Sequence, residues 1–238
     1  MKKIKLFILD AVRRNKLVHA IFNPLFLYMT KKHRKNDTVF QEKNKQFLQG
    51  GAELLAYFKS ALDAHKLKFW LTSGTLLGAY REHKLLGHDI DLDVAMFIED
   101  MPGVKSALQE KGFVLEHEFG VNGEGVKEQT YSYKGIKIDI FYIEKISDKF
   151  VSYVFFKNAE TDPDDKFRVI NIFFPQTDFI EYDFLDGKYL IPEKTAEYLT
   201  ANYGPNFMTP NKYWDYTRDI YSAKYYNLNE KQGFQLSY

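Results

Sequence analysis

Between residues 40 and 65 the apolar positions Phe47, Leu48, Leu54, Leu55, Phe58, Ala61 and Leu62 recur at helical spacing. This predicts one long amphipathic helix, with Asp37 or Thr38 as its cap and Gly50-Gly51 weakening its middle. Residues 68–72, KFWLT, are short, aromatic and β-prone, and predict a strand that ends at Ser73-Gly74-Thr75, followed by a short helix over 76–81. From residue 88 to 97 the period changes to two. Asp89, Asp91 and Asp93 alternate with Ile90, Leu92 and Val94, the pattern of a strand with one acidic and one buried face. Asp100 and Pro102 open a helix to about residue 111, and strands are expected at 114–118, 130–134 and 137–142. Residues 158–166 read as a loop. Asp186-Gly187 between two β-prone runs predicts a hairpin over 178–191, and Pro192 opens a helix to about Tyr203, stopped by Gly204 and Pro205.

Composition adds two constraints. The chain has 238 residues with 21 Phe and 17 Tyr, enough apolar surface for one sizeable folded core. It has no cysteine, which excludes disulfides, thiolate zinc sites and a cysteine nucleophile. The net charge of +1 conceals an asymmetry: ten Lys and Arg against two Asp leave residues 1–37 at +8, so the rest of the chain is at −7. Within that arm Ile4, Phe7, Ile8, Ala11 and Val12 fall near helical spacing among Lys2, Lys3, Lys5, Arg13, Arg14 and Lys16. The arm has no apolar run of about 20 residues, so it is not expected to span a bilayer. Two readings stay open, a helix lying on an anionic membrane surface and an amphipathic helix packed on the body. The acidic body argues against extended nucleic-acid binding, which leaves a basic footprint.

The chemistry concentrates on the alternating strand. Carboxylates two residues apart on one face lie about 7 Å apart, and without a cation they repel and are pushed toward protonation. Their hard oxygens suit Mg²⁺ or Mn²⁺, with phosphate and water completing the coordination. The plain alternative, a solvent-facing sheet edge, sits poorly with three Asp in five residues, because Asp is disfavoured in strands. Asp139, between Ile138 and Ile140, is a candidate to complete the carboxylate set. Ser73, Gly74 and Thr75 form a strand-to-helix turn where backbone amides can meet a phosphate. Arg81 is either a phosphate partner or half of an ion pair with Glu82. His83 and His88 lack zinc-type spacing and read as loop or hydrogen-bonding residues. Gly120, Gly123 and Gly125 suggest a flexible loop or lid, and the tail aromatics Tyr213, Trp214, Tyr216, Tyr221, Tyr225 and Tyr226 suggest packing more than sugar stacking.

The run LTSGTLLGAYREHKLLGHDIDLDVAM resembles the LicD and fukutin-related family of phosphotransferases. It has the Gly74-Thr75-Leu76-Leu77-Gly78-Ala79 segment, then Arg81, then the acidic strand. Further likeness lies at Tyr182-Asp183-Phe184, Ile191-Pro192, Tyr198-Leu199 and Tyr203-Gly204. Members often read Trp-Asp-Asp-Asp-Ile-Asp; here Gly87 and His88 precede Asp89 and Ile90 replaces a middle carboxylate, which favours Asp91 and Asp93 over Asp89 as direct ligands. The resemblance covers about residues 40–215 and implies an α+β fold, a nucleotidyltransferase-type mixed β-sheet core flanked by helices over 38–238, to which residues 1–37 add the basic amphipathic helical arm read from their charge and spacing. It implies metal binding by Asp89, Asp91, Asp93 and Asp139, catalysis by Asp91, Asp93 and Asp139, and nucleotide binding by Ser73, Gly74, Thr75 and Arg81. The implied reaction is Mg²⁺- or Mn²⁺-dependent transfer of a phospho-substituent from a CDP-linked donor to a sugar hydroxyl of a glycan or glycolipid. Phosphocholine from CDP-choline is the first expectation, ribitol or glycerol phosphate from a CDP-alditol the second, and a non-catalytic nucleotide-binding protein at the membrane the third. The arm suggests a cytoplasmic protein in peripheral contact with an anionic inner membrane face.

Overall fold

The helical stripe of residues 40–65 forms helix α1 (Thr38–Ala64), which buries Phe47, Leu54, Leu55, Phe58, Ala61 and Leu62 along one side. The computed structural model describes residues 38–158, 162–212 and 214–238, so the basic arm at 1–37 lies outside the described residues. The chain divides into two units, Met1–Glu42 with Asn211–Trp214 and Lys43–Pro210 with Asp215–Tyr238. The whole sheet and the acidic strand belong to the second. Gly50 and Gly51 do not interrupt α1. A Cβ on Gly50 would stand 2.7 Å from Ile136 Cδ1 and one on Gly51 2.8 Å from Leu85 Cδ1. The two glycines let the helix come close to its neighbours, and that packing outweighs their low helix propensity.

The remaining elements are β1 (Trp70–Leu71), α2 (Ser73–Glu82), β2 (Asp91–Phe97), a 3-10 turn (Ile98–Asp100), α3 (Met101–Gln109), β3 (Val114–Val121), β4 (Gly125–Tyr133), β5 (Ile136–Ile146), β6 (Lys149–Phe156), β7 (Phe167–Pro175), β8 (Phe179–Phe184), β9 (Gly187–Pro192), α4 (Thr195–Tyr203), β10 (Ala223–Tyr225) and β11 (Gln232–Ser237). They form one mixed sheet in the order β10-β7-β11-β3-β4-β5-β2-β1-β9-β8, with β6 pairing both β5 and β7. β2 runs parallel to β5, and β1 parallel to β9. The strands β3, β4, β5, β6, β7 and β11 follow one another in a ring of antiparallel pairings.

Several expectations shift. The expected helix over 76–81 starts three residues earlier, directly at Ser73. The acidic strand starts at Asp91, so Asp89 lies in the loop before it rather than on a shared strand face. The hairpin at 178–191 forms, but its two-residue turn is Leu185-Asp186, with Leu185 at φ 52, while Gly187 already pairs with Phe184. Gly120 belongs to β3, and only residues 122–124 form the turn to β4. Of the tail aromatics, Tyr213 lies outside the described residues, while Tyr216, Tyr221 and Tyr225 are exposed rather than packed.

Candidate functional site

The site is built where β2 lies between β1 and β5. Leu92 and Val94 point into the core with no exposure, as do their partners Ile138 and Ile140 on β5. Burying four such side chains, at about 1.5–3 kcal/mol each, sets the register of the pair. That register puts Asp93 beside Asp139, and on the next strand Thr130 beside Asp139. Asp93, Asp139 and Thr130 therefore form a row across three adjacent strands. Asp91 pairs with Lys137, one step along.

The turn between β1 and α2 grips this row. Ser73 takes a left-handed conformation, φ 43, to bend the chain from strand into helix. The Gly74 amide then donates to Asp93 Oδ2 at 2.8 Å, and the Asp93 amide donates to Thr75 Oγ1 at 2.8 Å. The Gly74 amide at this helix N-terminus thus meets the carboxylate of Asp93. Thr75 is buried and its hydroxyl is committed to the strand. A Cβ on Gly74 would stand 2.8 Å from Asp89 Oδ2 and 3.0 Å from Asp93 Oδ2, so only glycine leaves room for both carboxylates. Asp89 reaches this point from its loop. Asn44 of α1 holds the loop by donating to the carbonyl of Asp89 at 2.7 Å and to that of Gly87 at 3.3 Å.

The electrostatics are those of an uncompensated acidic cluster. Burial, and then the neighbouring Asp91, pushes the Asp89 carboxyl up to about 7. Burial and Asp91 likewise raise Asp139 to about 7, against the opposing hydrogen bond from the Thr130 hydroxyl to Asp139 Oδ1 at 2.6 Å. Asp93 is pushed well above the carboxylate range by burial and by Asp91, Asp139 and Asp89 together. Asp91 is raised by burial, with Lys137 acting against it.

Two further residues belong here that the sequence pattern did not single out. Glu128 of β4 is 9% exposed, and its carboxyl is driven well above the usual range by burial and by Asp139 and Asp91. It stands two residues from Thr130 on the same face of β4. Tyr203, at the end of α4, has its hydroxyl pushed up by burial and by Asp93 and Asp89. The signal for Glu128 was a charged residue in a stretch, Lys127 to Tyr131, that is buried on both faces.

Arg81 is engaged otherwise than with a free phosphate position. Its side chain is 9% exposed, pairs with Glu82 at 2.8 Å and donates to the carbonyl of Phe207 at 3.2 Å. It remains close enough to the cluster to lower the Asp89 carboxyl. His83 Nδ1 lies 3.0 Å from the Tyr182 hydroxyl, and His88 stays exposed 3.8 Å from Asp89. Among the described residues no three His, Asp or Glu side chains converge into a ready-made metal cage. The donor chemistry nonetheless fits a hard divalent cation. It consists of carboxylate oxygens alone, buried with little compensating positive charge, and Mg²⁺ typically uses only one or two carboxylates with phosphates and water.

The family described as LicD/FKTN/FKRP, nucleotidyltransferase domain, matches residues 66–193, which contain every carboxylate of the cluster. Ribitol-5-phosphate transferase FKTN of Homo sapiens is 30% identical over 173 residues, covering 72% of this chain and 36% of its own length. Ribitol 5-phosphate transferase FKRP of Homo sapiens is 28% identical over 97 residues, covering 37% of this chain and 19% of its own. The chain thus spans about a third of the length of the first of these relatives or less. Among solved structures, ANT(2")-Ia in complex with adenylyl-2"-tobramycin aligns over 49% of this chain and 59% of its own, at 14% identity and a TM-score of 0.34, too slight a likeness to argue from.

Proposed function

The chain belongs to the LicD/FKTN/FKRP nucleotidyltransferase-domain family, and from that premise we propose that it transfers a phospho-substituent from a CDP-linked donor to a sugar hydroxyl of a glycan or glycolipid. The observation that carries this reading is the row of Asp93 and Asp139 on adjacent parallel strands, with Asp89 and Asp93 closed over Gly74. Asp91, Asp93 and Asp139 would hold Mg²⁺ or Mn²⁺, with Asp89 meeting Asp93 over Gly74 from its loop. Bound there, the ion supplies neutralisation of the donor phosphates and of the charge that develops on departing CMP.

The chain's own residues do the rest. Gly74 and Thr75 fix the position of Asp93, and Thr130 fixes that of Asp139. A carboxylate offers about four lone-pair positions, so Asp139 can accept from Thr130 and still take up the proton of the acceptor hydroxyl. The acceptor oxygen forms the new bond to phosphorus, the bond from phosphorus to the CMP oxygen breaks, and CMP leaves with the electron pair. Arg81, held by Glu82 and the Phe207 carbonyl, contributes positive potential beside the cluster.

For the transferred group, the relatives' names favour an alditol phosphate, ribitol phosphate first, over the phosphocholine expected from the sequence. The +8 charge of residues 1–37 supports peripheral contact with an anionic membrane at the cytoplasmic face, where a lipid-carried glycan would be met. A donor screen tests the reaction: CDP-ribitol, CDP-glycerol, CDP-choline and CDP-ethanolamine with Mg²⁺ or Mn²⁺, following CMP release with and without glycan extract. Acceptor-stimulated release from one donor, lost in Asp93→Asn, is expected. Release from none of the four would sink the proposal.

A further inference from the structure

The segment before β2 leaves the course that its alternation sets. Asp89, Asp91 and Asp93 would carry the strand back to residue 88, and in a continuous strand residues 89 and 93 stand about 13 Å apart. β2 starts at Asp91 instead, and the Asp89 carboxylate is turned back toward Asp93. A Cβ on Gly74 would stand 2.8 Å from Asp89 Oδ2 and 3.0 Å from Asp93 Oδ2, so the two oxygens close on one point that an extended strand would keep out of Asp89's reach.

Helix α1 holds the segment there. Residues 44, 47 and 51 share one side of that helix, at the spacing of successive turns. Gly51 lets α1 approach Leu85, whose Cδ1 would stand 2.8 Å from a Cβ on the glycine. Leu86 is buried on the opposite side, against Gly78 of α2, where a Cβ would stand 3.3 Å from Leu86 Cγ. Asn44 then donates to the carbonyls of Gly87 at 3.3 Å and Asp89 at 2.7 Å. Carbonyls only accept, so these bonds take both protons of the Asn44 amide nitrogen, and neither an apolar nor an acidic side chain could supply them. The loop has little packing of its own at this point: a Cβ on Gly87 would meet nothing within 4 Å, and His88 is exposed. We propose that Asn44 is a positioning residue of this site: by holding the loop off the sheet, it keeps the Asp89 carboxylate beside Asp93. The inference rests on the metal-dependent reading above and deepens it. It assigns part of the site to α1, which ends at Ala64, before the matched family domain begins at residue 66.

The test compares the full chain as wild type, Asn44→Leu, Asn44→Gln, Asp89→Asn and the double variant Asn44→Leu with Asp89→Asn. Leucine is close to asparagine in size, has no donor and favours the helix more, so the metal-free melting temperature should hold or rise. Mn²⁺ affinity is read from the electron paramagnetic resonance signal of the free ion. Asn44→Leu is expected to weaken it about tenfold, as is typical when the support of a metal-site group is removed. Asn44→Gln, which keeps the donor on a longer arm, should recover part of that loss. In the Asp89→Asn background the leucine substitution should add nothing, because it acts through Asp89. An equal loss in both backgrounds, or no loss in either, would overturn this inference and leave the metal-dependent reading standing. Hydrogen exchange of residues 87–90 in the metal-free protein is the second readout. It should quicken in Asn44→Leu while the rest of the chain exchanges as in wild type. If wild type takes up no Mn²⁺, the metal-dependent reading falls and exchange decides alone: quickened exchange would sustain the hold of Asn44 on the loop, and unaltered exchange would overturn it.

Discussion

Strands β4 and β5 carry buried charge on both of their faces, and the two faces treat it in opposite ways. On one, Lys127 pairs with Glu144, and the Tyr153 hydroxyl donates to Glu144 Oε2 at 2.6 Å. Lys231, paired with Glu124 at 2.8 Å, lies 5.3 Å from the Tyr153 ring. Burial pushes the Glu144 carboxyl up, but the hydrogen bonds from Lys127 and Tyr153 outweigh it and hold the group below the usual carboxylate range. On the other face, Asp139 is pushed up to about 7, and burial with the neighbouring acids drives Glu128 and Asp93 well above the usual carboxylate range. Among the described residues their hydrogen-bond donors are one hydroxyl and one backbone amide, and Lys137 opposes the rise only at Asp139. Sequence neighbours, Lys127 and Glu128, thus serve different ends. A compensated charge completes a structure, whereas an uncompensated one is stable only when something else arrives to balance it.

Removing charge from each face separates these roles. The largest effect is expected from Asp139→Asn on the acidic face. Transfer should fall about a thousandfold or more, several kcal/mol of barrier, while the metal-free protein melts at a higher temperature than wild type. CMP-release assays and melting curves check the two halves, and near-normal transfer would return Asp139 to a structural role. Lys127→Met should do the reverse. It leaves Glu144 without its cation and is expected to lower stability by about 3 kcal/mol in denaturant unfolding, with turnover per folded molecule retained. A stability change under 1 kcal/mol would erase the contrast between the faces.

Gly74→Ala intrudes on Asp89 and Asp93 together. It is expected to lower transfer about a hundredfold through displaced carboxylates, with a smaller change in melting temperature. The pH dependence of the metal-free protein sharpens the comparison further. Asp89 and Asp139 have folded values near 7 against 3.8 unfolded, so they oppose folding above pH 7, and this penalty fades as pH falls from 7 toward 4. Glu144 is lowered from 4.5, so its contribution is complete above that value and is lost as pH falls through its folded value. The melting temperature should therefore rise from pH 8 to about pH 5 and then drop in acid, and Mn²⁺ should flatten the rise. A monotonic fall from pH 8 downward would contradict the uncompensated face. The smallest effect is expected at an exposed pair. Lys188→Ala removes a 3.2 Å contact with Asp183 in solvent and should change stability by less than about 0.5 kcal/mol.

Much of the frame was legible in the sequence because periodicity reports burial. The stripe of α1, the alternation at 91–94 and the turn residues near 186 each declare one buried side. Strands β6, β7 and β11 were not foreseen. β6 and β7 are buried on both faces for much of their length and show runs such as Val151-Ser152-Tyr153 and Val169-Ile170-Asn171-Ile172, which carry no period to read, while β11 is short and largely half-buried or exposed. The start of the acidic strand was placed too early for a related reason: His88 to Ile90 continue the alternation, but Asn44 and the turn at Gly87 hold them off the sheet.

The sequence by itself determined the family, through residues 66–193, and the identity of the first four carboxylates, because alternation of Asp with apolar residues is a local property of the chain. Only the tertiary structure decided which carboxylates stand together. The parallel pairing of β2 with β5 sets Asp93 against Asp139, residues 46 apart, and the pairing of β4 with β5 brings Thr130 and Glu128 to the same face. It also decided that the amide of Gly74 meets the carboxylate of Asp93. These outcomes depend on strand register, which is set by burial of Leu92, Val94, Ile138 and Ile140 against the rest of the core, and register between distant strands is written in no single segment of the chain.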